Sequence, residues 1–223
     1  MKILVACEES QAVTIELRKL GHDAYSCDIE PCSGGHPEWH IRKDVLKIIN
    51  GKTEFFTDDY IMHAIFTQWD MIIAFPPCTY LSNAGACRLY PRKGELNLER
   101  YEKGLAARKF FMSILFANCE RIAVENPVSS KIYEMPTHTQ EIQPWQFGHP
   151  YTKKTRLWLR GLPLLVPTEI MQERQPFIPA GTGRKDKSKY GAKGCAHESK
   201  PRSKTFSGIA KAIANQWAGE CND

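Results

Sequence analysis

No stretch of the 223-residue sequence approaches the roughly 18 consecutive apolar residues of a membrane-spanning helix. The opening Met1-Lys2-Ile3-Leu4-Val5 meets Glu8 and Glu9 too soon for a secretion signal. Cysteine pairs of the CxxC type are missing, although there are eight cysteines, and these scatter through strand-like and helix-like segments. That pattern argues against a disulfide scaffold and for reduced thiols in a cytoplasmic protein. Internal repeats are absent too. Cys32, His36 and His40 are spaced by four, but Gly34, Gly35 and Pro37 forbid the helix that would make them one metal-binding face. Cys195-Ala196-His197 has no nearby partners, and no metal is expected.

What is present, 42% hydrophobic and 10% aromatic residues, suffices for one main domain with a sizeable core. The net charge of +5 is modest, yet its excess is concentrated in Arg184-Lys185-Asp186-Lys187-Ser188-Lys189, Lys193 and Lys200 to Lys204. A smaller basic group lies at Arg88, Arg92 and Lys93. Such clustering points to a polyanionic partner.

Along the chain, Lys2 to Ala6 reads as a strand and Ser10 to Leu20 as a helix capped by Ser10 and stopped by Gly21. Ala24 to Cys27 reads as a second strand ending in Asp28-Ile29-Glu30, and the glycines and prolines of 31–37 as a loop leading to Asp44. A short helix is predicted over Asp59 to Phe66, before the apolar strand Met71 to Ala74. Leu98, Tyr101, Leu105, Met112 and Leu115 predict one face of a long helix between Asn97 and Asn118, which feeds the strand Ile122 to Val124. Thr155 to Leu159 is a further strand. Trp145, Phe147 and His149 are read as closing the core. Alternating strands and helices argue for a Rossmann-like α/β fold: a mostly parallel sheet, helices on both faces, ligands at the carboxyl ends of the strands. The expected division is a catalytic body over 1–160, a small basic recognition or linker segment over 161–204, and over 205–223 a helix packing back through Phe206, Ile209, Ala210, Ile213 and Trp217.

The chemistry-bearing residues sit at predicted strand ends. Phe75-Pro76-Pro77-Cys78 places a thiol just past one strand, and Glu125-Asn126-Pro127 places a carboxyl and an amide past another. A nucleophile and a proton donor would thus face one another.

Taken together, Pro76-Pro77-Cys78 with Ser82, Glu125-Asn126-Pro127, Lys154-Thr155-Arg156 with Leu157-Trp158-Leu159, and the segment from Ser207-Gly208 resemble the motifs of the cytosine-C5 DNA methyltransferases, in order and spacing, over residues 1–160 and about 203–218. The resemblance implies an S-adenosylmethionine-dependent methyltransferase fold that methylates C5 of cytosine in a flipped-out DNA base. It makes Cys78 the nucleophile, Glu125 the proton donor and Arg156 the anchor of the pyrimidine O2. It gives cofactor contacts to Glu8, Ser10, Asp28, Glu30, Asp44, Pro76 and Ser207, and substrate contacts to Ser82, Asn126, Lys154, Arg88, Arg92 and Lys93. The first turn, Ala6-Cys7-Glu8-Glu9-Ser10-Gln11, lacks the family's glycines and must be shaped differently. At most about 40 residues, Leu162 to Arg202, stand in for the family's target-recognition domain, which suggests a compact version from a phage or prophage setting. The alternatives are C5 modification of a pyrimidine in RNA or a nucleotide, and a non-catalytic nucleic-acid-binding protein with a methyltransferase fold.

Overall fold

The computed structural model describes residues 1–92, 94–177 and 204–220. The expectations placed on Lys93, on Cys195-Ala196-His197 and on most of the basic tract lie outside the described residues. The element order is β1 (Lys2–Ala6), α1 (Ala12–Lys19), β2 (Asp23–Asp28), β3 (His40–Arg42), β4 (Thr53–Phe56), β5 (Met62–Ile65), β6 (Met71–Ala74), α2 (Ala86–Leu89), α3 (Leu98–Leu115), β7 (Ile122–Pro127), β8 (Gln140–Ile142), β9 (Tyr151–Thr152), β10 (Thr155–Arg160), β11 (Gln175–Pro176) and α4 (Ser207–Ile213).

Seven strands form one sheet in the order β3-β2-β1-β6-β7-β10-β8. The first five are parallel, and β10 is antiparallel to both its neighbours. The fold is a Rossmann-like mostly parallel sheet. Its order reverses between β1 and β6, so the loops leaving those two strands flank the crevice where such sheets take their ligands.

Strand pleating sorts the apolar residues into two layers. Leu4, Ala6, Ile72, Ala74, Ile122 and Val124 face Phe111 and Ile114 of α3. Ile3, Val5, Ile73, Ala123 and Leu157 face Val13 and Leu17 of α1 and Ile209 and Ile213 of α4. Helix α4 runs on into a π-helical turn over Ala214–Ala218 that buries Trp217. Phe147 is buried in the same layer.

Three local expectations are corrected. Residues 59–66 form no helix: β4 and β5 are an antiparallel hairpin with Phe55 and Ile65 turned into the core and Phe56 and Met62 turned out. Helix α1 starts later than Ser10, because Gln11 takes a left-handed conformation (φ 56°) that ends the preceding turn. The buried face of α3 is Gly104, Phe111, Ile114 and Leu115, while Leu98 and Leu105 are exposed. Leu165 is buried beside the edge strand β8, where its backbone N–H and C=O bond the Gln140 side-chain amide.

Candidate active site

The chain leaves β6 through Phe75, whose N–H still donates to the Ala6 carbonyl at 2.9 Å. Pro76 and Pro77 have no N–H to extend the ladder, so the strand ends there and the chain turns. Cys78 heads that turn as a half-buried thiol, and its carbonyl accepts from Leu81 N (3.1 Å) and Ser82 N (2.8 Å). Asn83 N donates to Val128 O and Ser130 N to Leu81 O, each at 2.8 Å, which stitches the turn to the segment after β7. The chain ends carrying Cys78 and Glu125 therefore emerge side by side from neighbouring parallel strands.

Glu125 faces the α1/α4 layer. Across the β7–β10 ladder it stands opposite Leu157, and with Phe75, Ile142, Lys153, Thr155, Phe206 and Ile209 it lines a recess of about 30 Å³. That is room for roughly two water molecules. Lys204 and Thr205 complete the wall. Removal from water raises the Glu125 pKa above the ordinary carboxylate range, and the Lys153 ammonium pulls it part of the way back.

Arg156 stands opposite Asn126 and therefore projects to the other face. There its Nε lies 3.5 Å from Glu141 Oε2, while Lys154 Nζ lies 3.1 Å from Glu141 Oε1. Asn126 is fully buried and donates from Nδ2 to Ser129 Oγ at 2.9 Å; its Oδ1 has no hydrogen-bond partner among the described residues. The structure thus brings Glu125 together with Lys153 and Thr155, and Arg156 together with Lys154 and Glu141. Sequence reasoning assigns no site role to Lys153, Thr155, Phe75 or Phe206. The missed signal was the two-residue period of β10 counted from a Glu125–Leu157 pair, which needs the register.

The expected cofactor residues gather at the carboxyl edge of β1, β2 and β3. Asp28 ends β2, half-buried, with its carboxyl pKa raised by burial; it accepts from Glu30 N at 3.0 Å. Asp44 follows β3 and accepts from Leu46 N at 3.0 Å. Burial, then Asp28, the Cys27 thiol and Asp44, push the Cys7 thiol up, so both carboxylates act on one neighbourhood. Glu30 is exposed and Ser10 half-buried. Glu8 is differently engaged: its buried carboxylate accepts from Val13 N (2.7 Å), Thr14 N (3.2 Å) and Thr14 Oγ1 (2.7 Å), capping α1 in place of the predicted Ser10.

The glycine-free first turn is shaped by two non-glycine residues in left-handed conformation, Cys7 (φ 59°) and Gln11 (φ 56°). Gln11 is fully buried and donates from Nε2 to His36 O (2.8 Å) and Ser26 Oγ (3.2 Å). Its Oε1 accepts from Cys32 Sγ (2.9 Å) and His36 N (3.1 Å). A Cβ on Gly34 would lie 2.6 Å from the Gln11 Cβ, so glycine is required for this close approach.

Of the expected substrate residues, Ser82 bridges to Ser129, and Arg88 and Arg92 are exposed, Arg92 3.8 Å from Glu95. Arg88 lines an open hollow of about 270 Å³ with Tyr80, Asn97, Glu99, Arg100 and Lys103. Ser207, exposed at the start of α4, lies beside His149, whose Nε2 accepts from Gly208 N at 3.0 Å. Among the described residues no group of three or more histidines, cysteines or acids could hold a metal, and no helix is long and apolar enough to cross a membrane.

No protein-family profile and no curated protein sequence matches the chain. Solved structures do. One is a prophage-encoded protein of E. coli described as a DNA modification methyltransferase (TM-score 0.43, 11% identity, 77% of this chain and 52% of that one). A mutant of Spodoptera frugiperda DNMT2 aligns with TM-score 0.39 and 16% identity over 80% of this chain and 55% of that one. Entamoeba histolytica methyltransferase EhMeth aligns with TM-score 0.37 and 11% identity over 78% and 57%. The chain spans a little over half the length of each. Likeness at this level leaves the chemistry to be argued from the residues themselves.

Proposed function

We propose that the protein transfers a methyl group to C5 of cytosine in DNA through a covalent adduct with Cys78. The observation that carries this reading is the placement, at neighbouring strand ends beside the reversal of sheet order, of a thiol turn and a carboxyl that burial keeps protonated to higher pH than usual.

The chemistry needs both groups. The Cys78 thiolate forms a bond to C6, and the electron pair of the C5=C6 double bond is driven into the ring. Glu125 gives its proton to N3, so that the pair is held as an enamine with C5 nucleophilic. S-adenosylmethionine, when bound, supplies the electrophilic methyl group. A water molecule then takes the C5 proton, the double bond re-forms and the thiolate is expelled, while the N3 proton returns to Glu125. Charge gathering on O2 calls for a cation or donor, a role the resemblance gives to Arg156.

The carboxyl edge suits that cofactor by the chemistry of its donors. A sulfonium cation, an amine and a ribose diol find acceptors and negative potential near Asp28 and Asp44. Glu8 is left out of this set, because both its oxygens serve α1.

The test is covalent trapping with DNA bearing 5-fluorocytosine, whose fluorine does not leave as a proton does. An adduct that forms with S-adenosylmethionine and is lost in Cys78→Ser supports the reading. No adduct, together with no cofactor binding by calorimetry, overturns it in favour of a nucleic-acid-binding module. Competition by RNA or free nucleotide decides the substrate.

A further inference from the structure

Glu125 and the cation that completes its chemistry must meet the same edge of a pyrimidine, because N3 and O2 are adjacent atoms. The ladder between β7 and β10 decides which cation qualifies. Leu157 opposes Glu125 and Arg156 opposes Asn126, so the positions sharing Glu125's side are 157, 155 and, just before the strand, 153. Lys153, Thr155 and Leu157 all line the Glu125 recess, whereas Arg156 is held with Lys154 on Glu141.

A one-residue slip of β10 would bring Arg156 round, but it would exchange the layers of Leu157 and Trp158. Both are buried, in opposite cores, and Trp158 is pinned by a hydrogen bond from Nε1 to Pro136 O at 2.9 Å. The register is therefore fixed against the slip.

We propose that Lys153, rather than Arg156, is the catalytic cation that binds the pyrimidine O2, with the Thr155 hydroxyl beside it. This rests on the cytosine-C5 reading and assigns a residue within it. An ammonium carries three donors, enough to bond O2 and hold a neighbouring acceptor. The charged groups lining the recess with Glu125 are Lys153 and Lys204. Lys153 draws the Glu125 pKa down against the effect of burial, so its removal leaves Glu125 protonated to still higher pH.

The experiment measures deuterium uptake at C5 of cytosine in an oligonucleotide in D2O without cofactor, where Cys78 adds to C6, C5 takes a deuteron and loses a proton, and the thiol leaves. Fluorocytosine trapping with S-adenosylmethionine runs alongside, on wild type, K153M, K153R and R156M. K153M is expected to lose ~100-fold in both, the usual effect of deleting one donor to a developing oxyanion. K153R should recover most of it, and R156M should lose at least tenfold less than K153M. The alkaline limb of the exchange profile should move to higher pH in K153M and stay in place in K153R, which a merely structural lysine would not cause. Wild-type activity retained in K153M and lost in R156M overturns the assignment and leaves the parent reading standing. A wild type that neither exchanges nor traps overturns both.

Discussion

Arg100 donates from Nη2 to the carbonyl oxygen of Thr79 at 2.8 Å, tying the first turn of α3 to the residue that follows Cys78. The guanidinium also lies over the Tyr80 ring, 5.0 Å from its centroid. On the proposed reading Arg100 positions the thiol turn, since a displacement of about 1 Å in a reacting atom costs up to ~100-fold in rate. Arg100→Met should slow trapping of 5-fluorocytosine by ~10-fold while moving the thermal midpoint by only a few degrees. Unaltered trapping kinetics would show that Arg100 merely covers the surface.

Gln11 is the hub of the first turn, and its four hydrogen bonds hold the 32–36 loop beside the ends of β1 and β2. Gln11→Gly accepts the left-handed backbone and removes the buried side chain with its amide. S-adenosylmethionine binding, followed by calorimetry, should weaken ~10-fold, because ordering the loop becomes a cost of binding. Undiminished affinity would place the loop outside the cofactor site.

The Glu8 carboxyl is raised from 4.5 to about 7, by burial first, against the lowering effect of its bonds from Val13 and Thr14. Between those pH values the folded state holds a proton that the unfolded chain has released. Stability should therefore fall as pH rises from about 4.5 to 7, by up to ~3 kcal/mol, and level off above. Glu8→Gln should flatten that slope in urea titrations at several pH values. An unchanged slope would assign the dependence to another group.

Gly104 faces the ring of Tyr133 so closely that a Cβ would collide with it. Alanine is worth up to ~1 kcal/mol more than glycine inside a helix. Here overpacking should win, and Gly104→Ala should destabilise the fold by ~1–2 kcal/mol in chemical denaturation. In a Tyr133→Ala background the same Gly104→Ala change should cost less, since the ring it meets is gone.

His149 holds the start of α4 as an acceptor, which requires its Nε2 to be unprotonated, and burial lowers its pKa below 6.5. A depressed histidine contributes stability above the unfolded pKa and loses it as pH falls through the folded one. The protection factors of the α4 amides should therefore fall below pH 6.5, over and above the intrinsic slowing of exchange in acid. His149→Gln, which still offers an oxygen acceptor, should remove that acid sensitivity.

Much of this architecture is legible in the sequence because each parallel strand is a short apolar run with a chemistry-bearing residue at its end, as at Ala74 before Cys78 and Val124 before Glu125. Helix α4 is legible from its period. The hairpin is hidden because Phe56 and Met62, which point outward, are as apolar as Phe55 and Ile65, which point inward. With both phases filled, alternation leaves no trace. Face assignments across β10 are illegible for another reason: Lys153, Lys154 and Arg156 are equally cationic, and only the pairing of Leu157 with Glu125 tells them apart. Gly104 belongs to the same class, its neighbour Tyr133 lying far along the chain.

The walls around Glu125 come from residues 75, 142, 153, 155, 157, 204–206, 209 and 213, so segments far apart in the chain must meet before the enclosure exists. With α4 undocked, the carboxyl would lie open to water and ionise at ordinary pH. Drawing that helix away from the sheet would therefore switch the ionisation of residue 125 without altering the turn that carries the sulfur.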